Sequence, residues 1–217
     1  MFRMQTFISP IGFNTTSVTR TLLAHGLNED DSVKLLRPAT ETDDNRAAEA
    51  VADVEQLLKE IEPSTTVSVT RIPHDDFAAG VMTCSDLIVE APDTVVVSLS
   101  GGARDILLPL TVATIAHDND IQTTYGYSDI DGQARKLDLP SVTDTPSDGA
   151  HQTLIAVADA EELISVPELT TRLDNVKSTI TRHISTLEND GYLTSRTKNR
   201  TKHVSITLSG KLYLTTH

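Results

Sequence analysis

Residues 173–193 read LDNVKSTITRHISTLENDGYL, and this stretch predicts a helix with two different faces. Apolar side chains recur in it at the 3.6-residue period of an α-helix, which predicts one narrow buried stripe. The stripe consists of Val176, Ile180, Ile184 and Leu187. Short polar and basic side chains fall outside this stripe. They are Lys177, Ser178, Thr181, Arg182 and Ser185. Such a face suits a helix that lies in the major groove of DNA.

The residues around this stretch predict a helix-turn-helix. Ser165 and Glu168 have the spacing of a capping box, and Pro167 suits the first turn of a short helix. Asn175 is the expected N-cap of the second helix, and Gly191 is expected to end that helix in a left-handed conformation. We therefore expect two consecutive helices that are joined by a tight turn.

Two strands are predicted after the second helix, at residues 192–196 and 203–208. Basic side chains occupy every second position around the turn that joins these strands. They are Arg196, Lys198, Arg200 and Lys202. This arrangement is typical of a β-wing that grips the phosphate backbone of DNA. Residues 151–217 are therefore predicted to form a winged helix-turn-helix domain that binds double-stranded DNA.

The distribution of charge favours the same interpretation. Residues 1–149 carry 10 Lys and Arg against 24 Asp and Glu, a net charge of −14. From residue 172 onward the chain carries 8 basic residues against 3 acidic ones, a net charge of +5. The cationic part of an acidic chain is thus the part with the DNA-binding pattern. The alternative is a winged helix that contacts only proteins and has a solvated basic hairpin.

Length and composition limit the class of protein. At 217 residues the chain is long enough for two domains, and its net charge is −13. Few lysines and many acidic residues fit a halophilic protein, although an ordinary acidic protein has a similar composition. Cys84 is the single cysteine, which excludes an intramolecular disulfide and favours a reducing compartment. Because no long apolar run occurs, we expect a cytoplasmic protein without a membrane span.

Residues 1–140 alternate between strand and helix patterns, which predicts an α/β domain with a Rossmann-like, mostly parallel sheet. Strands are predicted at residues 4–9, 32–36, 66–72, 94–99, 121–127 and 136–139, and helices at residues 15–25, 45–61, 77–90 and 103–116. A polar stretch rich in turn formers follows. We assign residues 1–142 to the first domain, which would bind a ligand and dimerise, and residues 143–150 to a linker.

Two loops at strand ends are the candidate ligand site of this domain. Ligands of open α/β sheets lie beyond the carboxyl ends of the strands, where the strand order reverses. Glycines allow the backbone to approach a ligand, and free N–H groups at the start of a helix favour an anion. The expected ligand-binding residues are Ser9, Ile11, Gly12 and Asn14 in the first loop, and Ser98, Ser100, Gly101, Gly102, Ala103 and Arg104 in the second.

Neither loop has the spacing of a known nucleotide motif. GxGxxG and GxxxxGK[ST] are both absent, so a dinucleotide-binding fold or an NTPase of the usual kind is unsupported. A Gly-Gly pair after a strand is also often only a tight turn. The histidines do not pair at metal-ligand spacings, and no catalytic Ser-His-acid set is indicated by spacing. We expect no metal, no cofactor and no catalytic residue.

A Rossmann-like domain with SLSGGAR at residues 98–104, followed by a winged helix, resembles the CARF-domain transcription regulators of archaeal CRISPR–Cas systems. CARF stands for CRISPR-associated Rossmann fold. The resemblance covers essentially the whole chain; residues 98–104 are its most specific part, and residues 9–16 match more loosely. It implies a homodimer whose two CARF domains share a pocket for a cyclic oligoadenylate, often the tetramer. It also implies that the winged helices bind promoter DNA near CRISPR or cas genes.

Three functional interpretations remain open. The first is a transcription regulator whose DNA binding responds to the cyclic oligoadenylate. The second is a ring nuclease, because some CARF domains cleave their own ligand; that reaction needs little more than positioning, for which Ser9, Ser100 or Arg104 would suffice. The third is a plain DNA-binding regulator with an empty pocket.

Overall fold

The computed structural model describes residues 4–40, 44–140, 146–160 and 163–216. The chain divides into two compact units, Met1–Asp138 and Leu139–His217. Each unit has its own hydrophobic core, as expected for a separate domain. The first helix of the second unit begins at Asp148, so residues 148–150 of the predicted linker are helical. Residues 143–145 of that linker lie outside the described residues.

The first unit alternates between strands and helices. The strands are β1 (Gln5–Pro10), β2 (Ser32–Pro38), β3 (Thr66–Ile72), β4 (Thr94–Ser98), β5 (Ile121–Tyr127) and β6 (Ala134–Leu137). The helices are α1 (Thr16–His25), α2 (Asp44–Ile61), α3 (Phe77–Val89) and α4 (Arg104–Ala116), and a short 3-10 helix follows α4 at Asp118–Asp120.

The strands form one sheet in the order β3-β2-β1-β4-β5-β6. Neighbouring strands are parallel except β5 and β6, which are antiparallel. Phe7 of β1 pairs with Val33 of β2 on one side and with Val96 of β4 on the other. The Rossmann-like, mostly parallel sheet is thereby confirmed. The strand order reverses between β1 and β4, and ligands of open α/β sheets bind beyond the carboxyl ends of the strands at such a reversal.

Apolar side chains cover both faces of this sheet. Leu22 of α1 and Val54 of α2 are buried in the core on one face, and Ile88 of α3 and Leu110 of α4 are buried in the core on the other. A central parallel sheet that is covered on both faces has strands of nearly continuous apolar character, as in β4. The helices therefore fix the strand ends on which the two glycine-containing loops are carried.

The second unit contains a helix-turn-helix and a small antiparallel sheet. Its elements are α5 (Asp148–Ala158), β7 (Ile164–Ser165), α6 (Val166–Arg172), α7 (Lys177–Asn189), β8 (Leu193–Lys198), β9 (Thr201–Ile206) and α8 (Leu208–Thr216). The strand order is β7-β9-β8, and both pairs are antiparallel. Helices α6 and α7 followed by the β8–β9 hairpin have the order of elements of a winged helix.

The ends of the two helices agree only in part with the expected caps. The capping box of α6 is present: the backbone N–H of Ser165 donates to Glu168 Oε2 at 2.9 Å, and the Ser165 hydroxyl accepts from the N–H of Glu168. Helix α7 begins at Lys177, so its N-cap is Val176 and not Asn175. Val176 is extended and 65% exposed, because it precedes the helical residues and does not follow their period. The predicted stripe is therefore buried only from Ile180 onward.

Candidate functional site

An open cavity of about 530 Å³ lies at the carboxyl ends of the central strands. It is bordered by the loop between β1 and α1, by the loop between β4 and α4, and by residues at the end of β5. The predicted ligand-binding residues that line it are Gly12, Asn14, Ser100, Gly101 and Gly102. The two predicted loops therefore meet at one site, at the reversal of the strand order.

Close packing between the two loops explains the glycines. Gly101 and Gly102 have φ values of 78° and 68°, a region that L side chains rarely adopt. A Cβ atom on Gly102 would lie 2.7 Å from the Cβ of Pro10, and one on Gly101 would overlap the hydroxyl of Ser17. A Cβ on Gly12 would lie 3.4 Å from the Cα of Gly102. The glycines thus allow the two loops to contact each other, and they expose backbone atoms to the cavity.

The cavity wall offers hydrogen-bond donors to an anion. Among the described residues, no protein oxygen accepts a backbone hydrogen bond from the N–H of Gly101, Gly102 or Ala103. Ala103 is the N-cap of the 13-residue helix α4 and supplies no side-chain cap. Free N–H groups and the positive end of a helix together favour a phosphate.

Helix α1 also begins at the cavity, where Thr16 and Ser17 are part of the wall. Its first N–H, on Thr16, donates to Asn14 Oδ1 at 2.8 Å. The oxygen of the Asn14 side chain is therefore engaged in the protein, while its amide nitrogen is a hydrogen-bond donor. Two helix N-termini thus surround one cavity, which strengthens the local preference for negative charge.

Three predicted ligand residues are buried in or next to the sheet and do not line the cavity. Ser9, Ile11 and Ser98 are each less than 5% exposed. The Ser9 hydroxyl donates to its neighbour's carbonyl, Pro10 O, at 3.2 Å, and the Ser98 hydroxyl donates to Thr21 Oγ1 at 3.5 Å. These side chains are placed by the strands that end at the cavity, and their polar atoms are satisfied inside the protein.

Ser100 and Arg104 offer less to a ligand than expected. Ser100 lines the cavity, but its hydroxyl accepts a hydrogen bond from the N–H of Tyr127 at 2.5 Å, which ties the second loop to the end of β5. Arg104 and Ala103 are exposed at the start of α4 and are not part of the cavity wall. In the described residues Arg104 forms no ion pair, so it is a free cation beside the cavity.

Several lining residues were not predicted from the sequence. They are Phe13, Thr16, Ser17, Leu99, Leu107, Tyr127 and Asp129. Tyr127 is the last residue of β5, which neighbours β4 in the sheet, and Asp129 lies shortly after it. The predicted parallel order already brings the end of this strand to the same edge, and that signal would have found them. Leu107 is one helical turn into α4, and its inward direction depends on packing that the sequence does not show.

The second candidate site is the exposed surface of α7 and the hairpin. The predicted DNA-binding residues on α7 are all exposed. The hydroxyl of Thr181 donates to Lys177 O at 2.8 Å, and that of Ser185 donates to Thr181 O at 3.0 Å. Their hydroxyl oxygens therefore keep only acceptor capacity for a base edge. Arg182 forms no ion pair within the described part of the chain.

The basic residues of the hairpin do not form one group. Arg196 pairs across the hairpin with His203, and Lys202 pairs with Thr197. Because side chains alternate along a strand, Arg196 and Lys198 share one face of the hairpin and Lys202 lies on the other. Lys202 Nζ contacts Glu188 Oε2 of α7 at 2.6 Å. Its charge is thereby partly neutralised, unlike that of Lys198.

The tip of the hairpin is a two-residue turn. Asn199 and Arg200 both have positive φ values, 51° and 63°. Such a turn matches the twist of a two-stranded hairpin, but it normally favours Asn or Gly at both positions. An arginine in the left-handed region is uncommon, and this position fixes the Arg200 side chain at the exposed tip.

His183 is the one histidine of α7, and it is part of the packing of the second unit. Its Nδ1 lies 3.0 Å from the hydroxyl of Thr153 in α5, and a Cβ on Gly149 would lie 3.0 Å from its Cε1. Burial, with a smaller contribution from the charge of Arg182, holds the pKa of His183 below its usual value. A neutral His183 supports the α5–α7 contact and supplies no charge to the exposed face.

Residues 5–133 match the family described as the Csa3 CRISPR-associated Rossmann-like domain. The match covers more than half of the chain and includes both glycine-containing loops. The chain belongs to the Csa3 family. No curated protein matches it. The matched residues include strands β1 to β5 and the loops that border the cavity.

Several solved structures are similar to parts or most of this chain at low sequence identity. Csm6 from Enterococcus italicus, bound to cyclic hexa-2′-fluoro-hexa-dAMP, is 12% identical with a TM-score of 0.55. That match covers 87% of this chain and 55% of Csm6, so the chain spans about half of that protein. Can2 from Sulfobacillus thermosulfidooxidans, in complex with cyclic tetra-adenylate, is 10% identical with a TM-score of 0.44, covering 97% of this chain and 63% of Can2. Reduced HlyU from Vibrio cholerae is 24% identical with a TM-score of 0.29, covering 32% of this chain and 73% of HlyU.

Neither a metal cluster nor a membrane helix occurs in the residues that the structure describes. No three His, Cys, Asp or Glu side chains are grouped so that they would hold a metal ion. No helix of these residues is long and apolar enough to cross a membrane.

Proposed function

We propose that this chain is a CRISPR-associated transcription regulator. In this proposal its Csa3 domain binds a cyclic oligoadenylate, its second unit binds promoter DNA, and the active species is a homodimer. The observation that carries the proposal is the cavity at the two glycine-containing loops, with the free N–H groups of Gly101 and Gly102 in its wall and that of Ala103 next to it. Such a site accepts phosphate without a positively charged side chain.

Two observations support the class of ligand. The cavity combines hydrogen-bond donors for phosphate with aromatic and aliphatic wall residues, which suits a nucleotide better than a free anion. A protein with the same fold, Csm6, holds a cyclic hexanucleotide. We propose cyclic tetra-adenylate, the ring that the resemblance implies most often, as the first candidate. Its two-fold symmetry, which the six-membered ring shares, fits a site that two identical chains build together.

Exposed apolar residues on the Csa3 domain support the homodimer. Met82 and Val89 of α3 and Leu108 and Val112 of α4 are each between 43% and 62% exposed. Each pair lies on one face of its helix, since the spacings are seven and four residues. Exposed apolar side chains that are grouped on a surface often mark a contact with another protein, whereas single scattered ones do not.

Charge and exposure support DNA as the partner of the second unit. Residues from 172 onward carry a net charge of +5. Lys177, Arg182, Lys198 and Arg200 are exposed and form no ion pair within the described residues. A helix with short polar side chains and a basic hairpin tip would read base edges and phosphates, respectively.

A direct experiment separates this proposal from its two alternatives. Wild-type protein is incubated with labelled cyclic tetra-adenylate and separated from free ligand by gel filtration, and the label is analysed by chromatography. The proposal expects the intact ring to elute with the protein. Linear products would indicate a ring nuclease instead, and free intact ligand would leave a plain DNA-binding regulator.

A matched pair of variants links binding to the cavity. Leu107→Glu places a carboxylate in the cavity wall and is expected to abolish binding by repelling phosphate. Leu23→Glu makes the same change on α1 at a side chain that is 53% exposed and outside the wall, and it is expected to bind like wild type. Equal binding by both variants would place the ligand elsewhere.

A further inference from the structure

One side chain in the cavity wall has a geometry that suits a nucleobase. Phe13 lies in the loop after β1, lines the cavity and is 53% exposed. Large aromatic side chains are usually buried, because burying them removes much apolar surface from water. The exposed ring of Phe13 is therefore a surface that a ligand would cover.

The ring of Phe13 is held by a cation. The guanidinium carbon of Arg46, in the first turns of α2, lies 4.5 Å from the centre of the ring. At this distance the cation is attracted to the ring face and fixes its orientation. A ring fixed in this way loses little further freedom when a flat partner stacks on it. Arg46 covers one face, and the ring also borders the cavity.

The hydrogen-bond donors in and next to the cavity wall, together with one carboxylate of the wall, would orient a nucleotide. Free N–H groups at Gly101 to Ala103 attract phosphate. The carboxylate of Asp129, also in the wall, repels phosphate and accepts a hydrogen bond only from a neutral or cationic donor. The phosphates of a bound nucleotide would therefore contact the glycine-containing loop, and its base would contact the remaining apolar and aromatic wall.

We propose that Phe13, with the guanidinium of Arg46 against one face of its ring, is the base-stacking residue of the cavity and packs against one adenine of the ligand. This inference rests on the proposed function, because it assumes that the cavity takes an oligoadenylate. It adds the contact by which the cavity distinguishes a nucleotide from inorganic phosphate. Stacking on an aromatic ring is a major source of affinity for nucleotides that are not base paired.

The composition of the chain provides a sensitive test. The chain contains no tryptophan. Phe13→Trp therefore introduces a single indole at the proposed stacking position, and adenine that stacks on it is expected to quench its fluorescence during titration with cyclic tetra-adenylate. Phe77→Trp is the matched control, since Phe77 is 56% exposed on α3 and does not line the cavity. Its fluorescence is expected to stay constant.

Affinity measured by calorimetry completes the test. Phe13→Leu keeps an apolar side chain but removes the ring, and it is expected to raise Kd about tenfold or more. Phe13→Tyr keeps the ring and is expected to bind within about twofold of wild type. Circular dichroism checks that each variant is folded.

The outcomes distinguish this inference from the proposed function. If wild type binds cyclic tetra-adenylate, but Phe13→Leu binds equally well and the introduced indole is not quenched, the stacking role is wrong and the proposed ligand stands. If wild type shows no binding at all, the proposed ligand is wrong and the stacking role is overturned with it. Quenching of the introduced indole, together with weaker ligand binding by Phe13→Leu, supports both the proposed ligand and the stacking role.

Discussion

At the scale of single residues, the partners of each charged side chain determine its role in the second unit. Arg182, Lys198 and Arg200 are exposed cations without an ion pair in the described residues. Lys202 contacts Glu188, and His183 is held neutral by its packing. The sequence shows where basic residues occur, but it does not show which of them already have a partner. Lys202 therefore looked equivalent to Lys198 in the sequence and differs from it in the fold.

Replacing the cations tests the DNA interface. Arg182→Ala is expected to weaken binding to the specific operator by about 1–3 kcal/mol and to affect other duplexes less, because it would remove a base contact. Lys198→Ala and Arg200→Ala are expected to weaken all duplexes similarly and to lower the salt slope by about 1 each. Fluorescence anisotropy at several salt concentrations measures both effects. Lys211→Ala, an exposed cation on α8, is the control; unchanged affinity in all four variants would contradict this interface.

Because Lys202 is paired with Glu188, we expect its substitution to affect DNA binding less than that of Lys198. Lys202→Ala is expected to lower the salt slope less than Lys198→Ala does, because Glu188 already neutralises part of the Lys202 charge. Glu188→Gln is expected to tighten binding to every duplex, since it frees Lys202 for a phosphate. A looser complex in Glu188→Gln would show that the pair is needed to position the hairpin.

The protonation of His25 predicts a pH dependence of stability. Its Nδ1 lies 3.1 Å from the Tyr125 hydroxyl and its Nε2 lies 2.6 Å from Gln5 Oε1, an arrangement that suits the neutral ring. Burial, followed by the charge of Lys136, lowers the pKa of His25. The unfolded chain then binds more protons as the pH falls below the usual histidine value of about 6.5. Stability is therefore expected to be complete above this pH and to decrease as the pH falls below it.

Urea unfolding at pH 7.5 and pH 5.5 measures this effect. His25→Gln, which does not titrate, is expected to lose less stability than wild type over this interval. Part of the pH dependence is expected to remain, because the pKa of His183 is lowered as well. An identical loss in wild type and His25→Gln would exclude His25 as a cause.

At the scale of secondary-structure elements, the sequence predicted those helices and strands whose formation depends on their own residues. The β-branched run of β4, the capping box of α6 and, from Ile180 onward, the apolar period of α7 lie where the sequence places them. Strand β7 has only two residues and forms by pairing with β9. Its own sequence therefore contains no pattern that predicts a strand. Strand β6 begins two residues earlier than predicted, since the hairpin closes between Ser128 and Gln133.

The same distinction applies to the cavity. The glycines, the strand ends and the parallel order were visible in the sequence, and they located the site. The directions of Ser9 and Ser98 into the sheet, and of Phe13 and Leu107 into the cavity, depend on tertiary packing. The position of the cavity and its glycines were therefore predictable from the sequence, whereas many of the side chains that line the cavity were not.

The contact between the two loops predicts a large effect of a small substitution. Gly102 and Gly132 have nearly equal φ values, 68° and 69°, but only Gly102 has a neighbour within 3 Å of a Cβ position. Gly132→Ala is expected to lose about 1–2 kcal/mol of stability through backbone strain alone. Gly102→Ala is expected to lose clearly more, because Pro10 would also have to move. Equal losses in thermal unfolding would show that loop packing does not require the glycine.

At the scale of the whole molecule, charge is divided between the two units. The acidic first unit would repel DNA, whereas the basic end of the chain would attract it. One recognition helix reads only a few base pairs, so a regulator of this size needs two copies for specificity. The proposed dimer supplies two copies and a two-fold site for a ring-shaped ligand.

Light scattering of the full chain tests the dimer. Wild type is expected to have twice the mass of one chain. Leu108→Glu combined with Val112→Glu is expected to give a monomer, because two carboxylates would enter the apolar face of α4. Leu23→Glu on α1 is expected to remain dimeric. A wild-type monomer, or a dimer that both sets of substitutions leave intact, would contradict the proposed interface.

A transcription regulator that binds a cyclic oligoadenylate implies coupling between ligand and DNA. This central claim requires that the ligand favour one DNA-binding state over another. The measurement is the Kd for promoter DNA of neighbouring CRISPR or cas genes, obtained by fluorescence anisotropy with and without saturating cyclic tetra-adenylate. We predict a change of about fivefold or more in wild type, and no change in Leu107→Glu, which should still bind the DNA. An unchanged wild-type Kd, at a ligand concentration that calorimetry shows to be saturating, would contradict the claim.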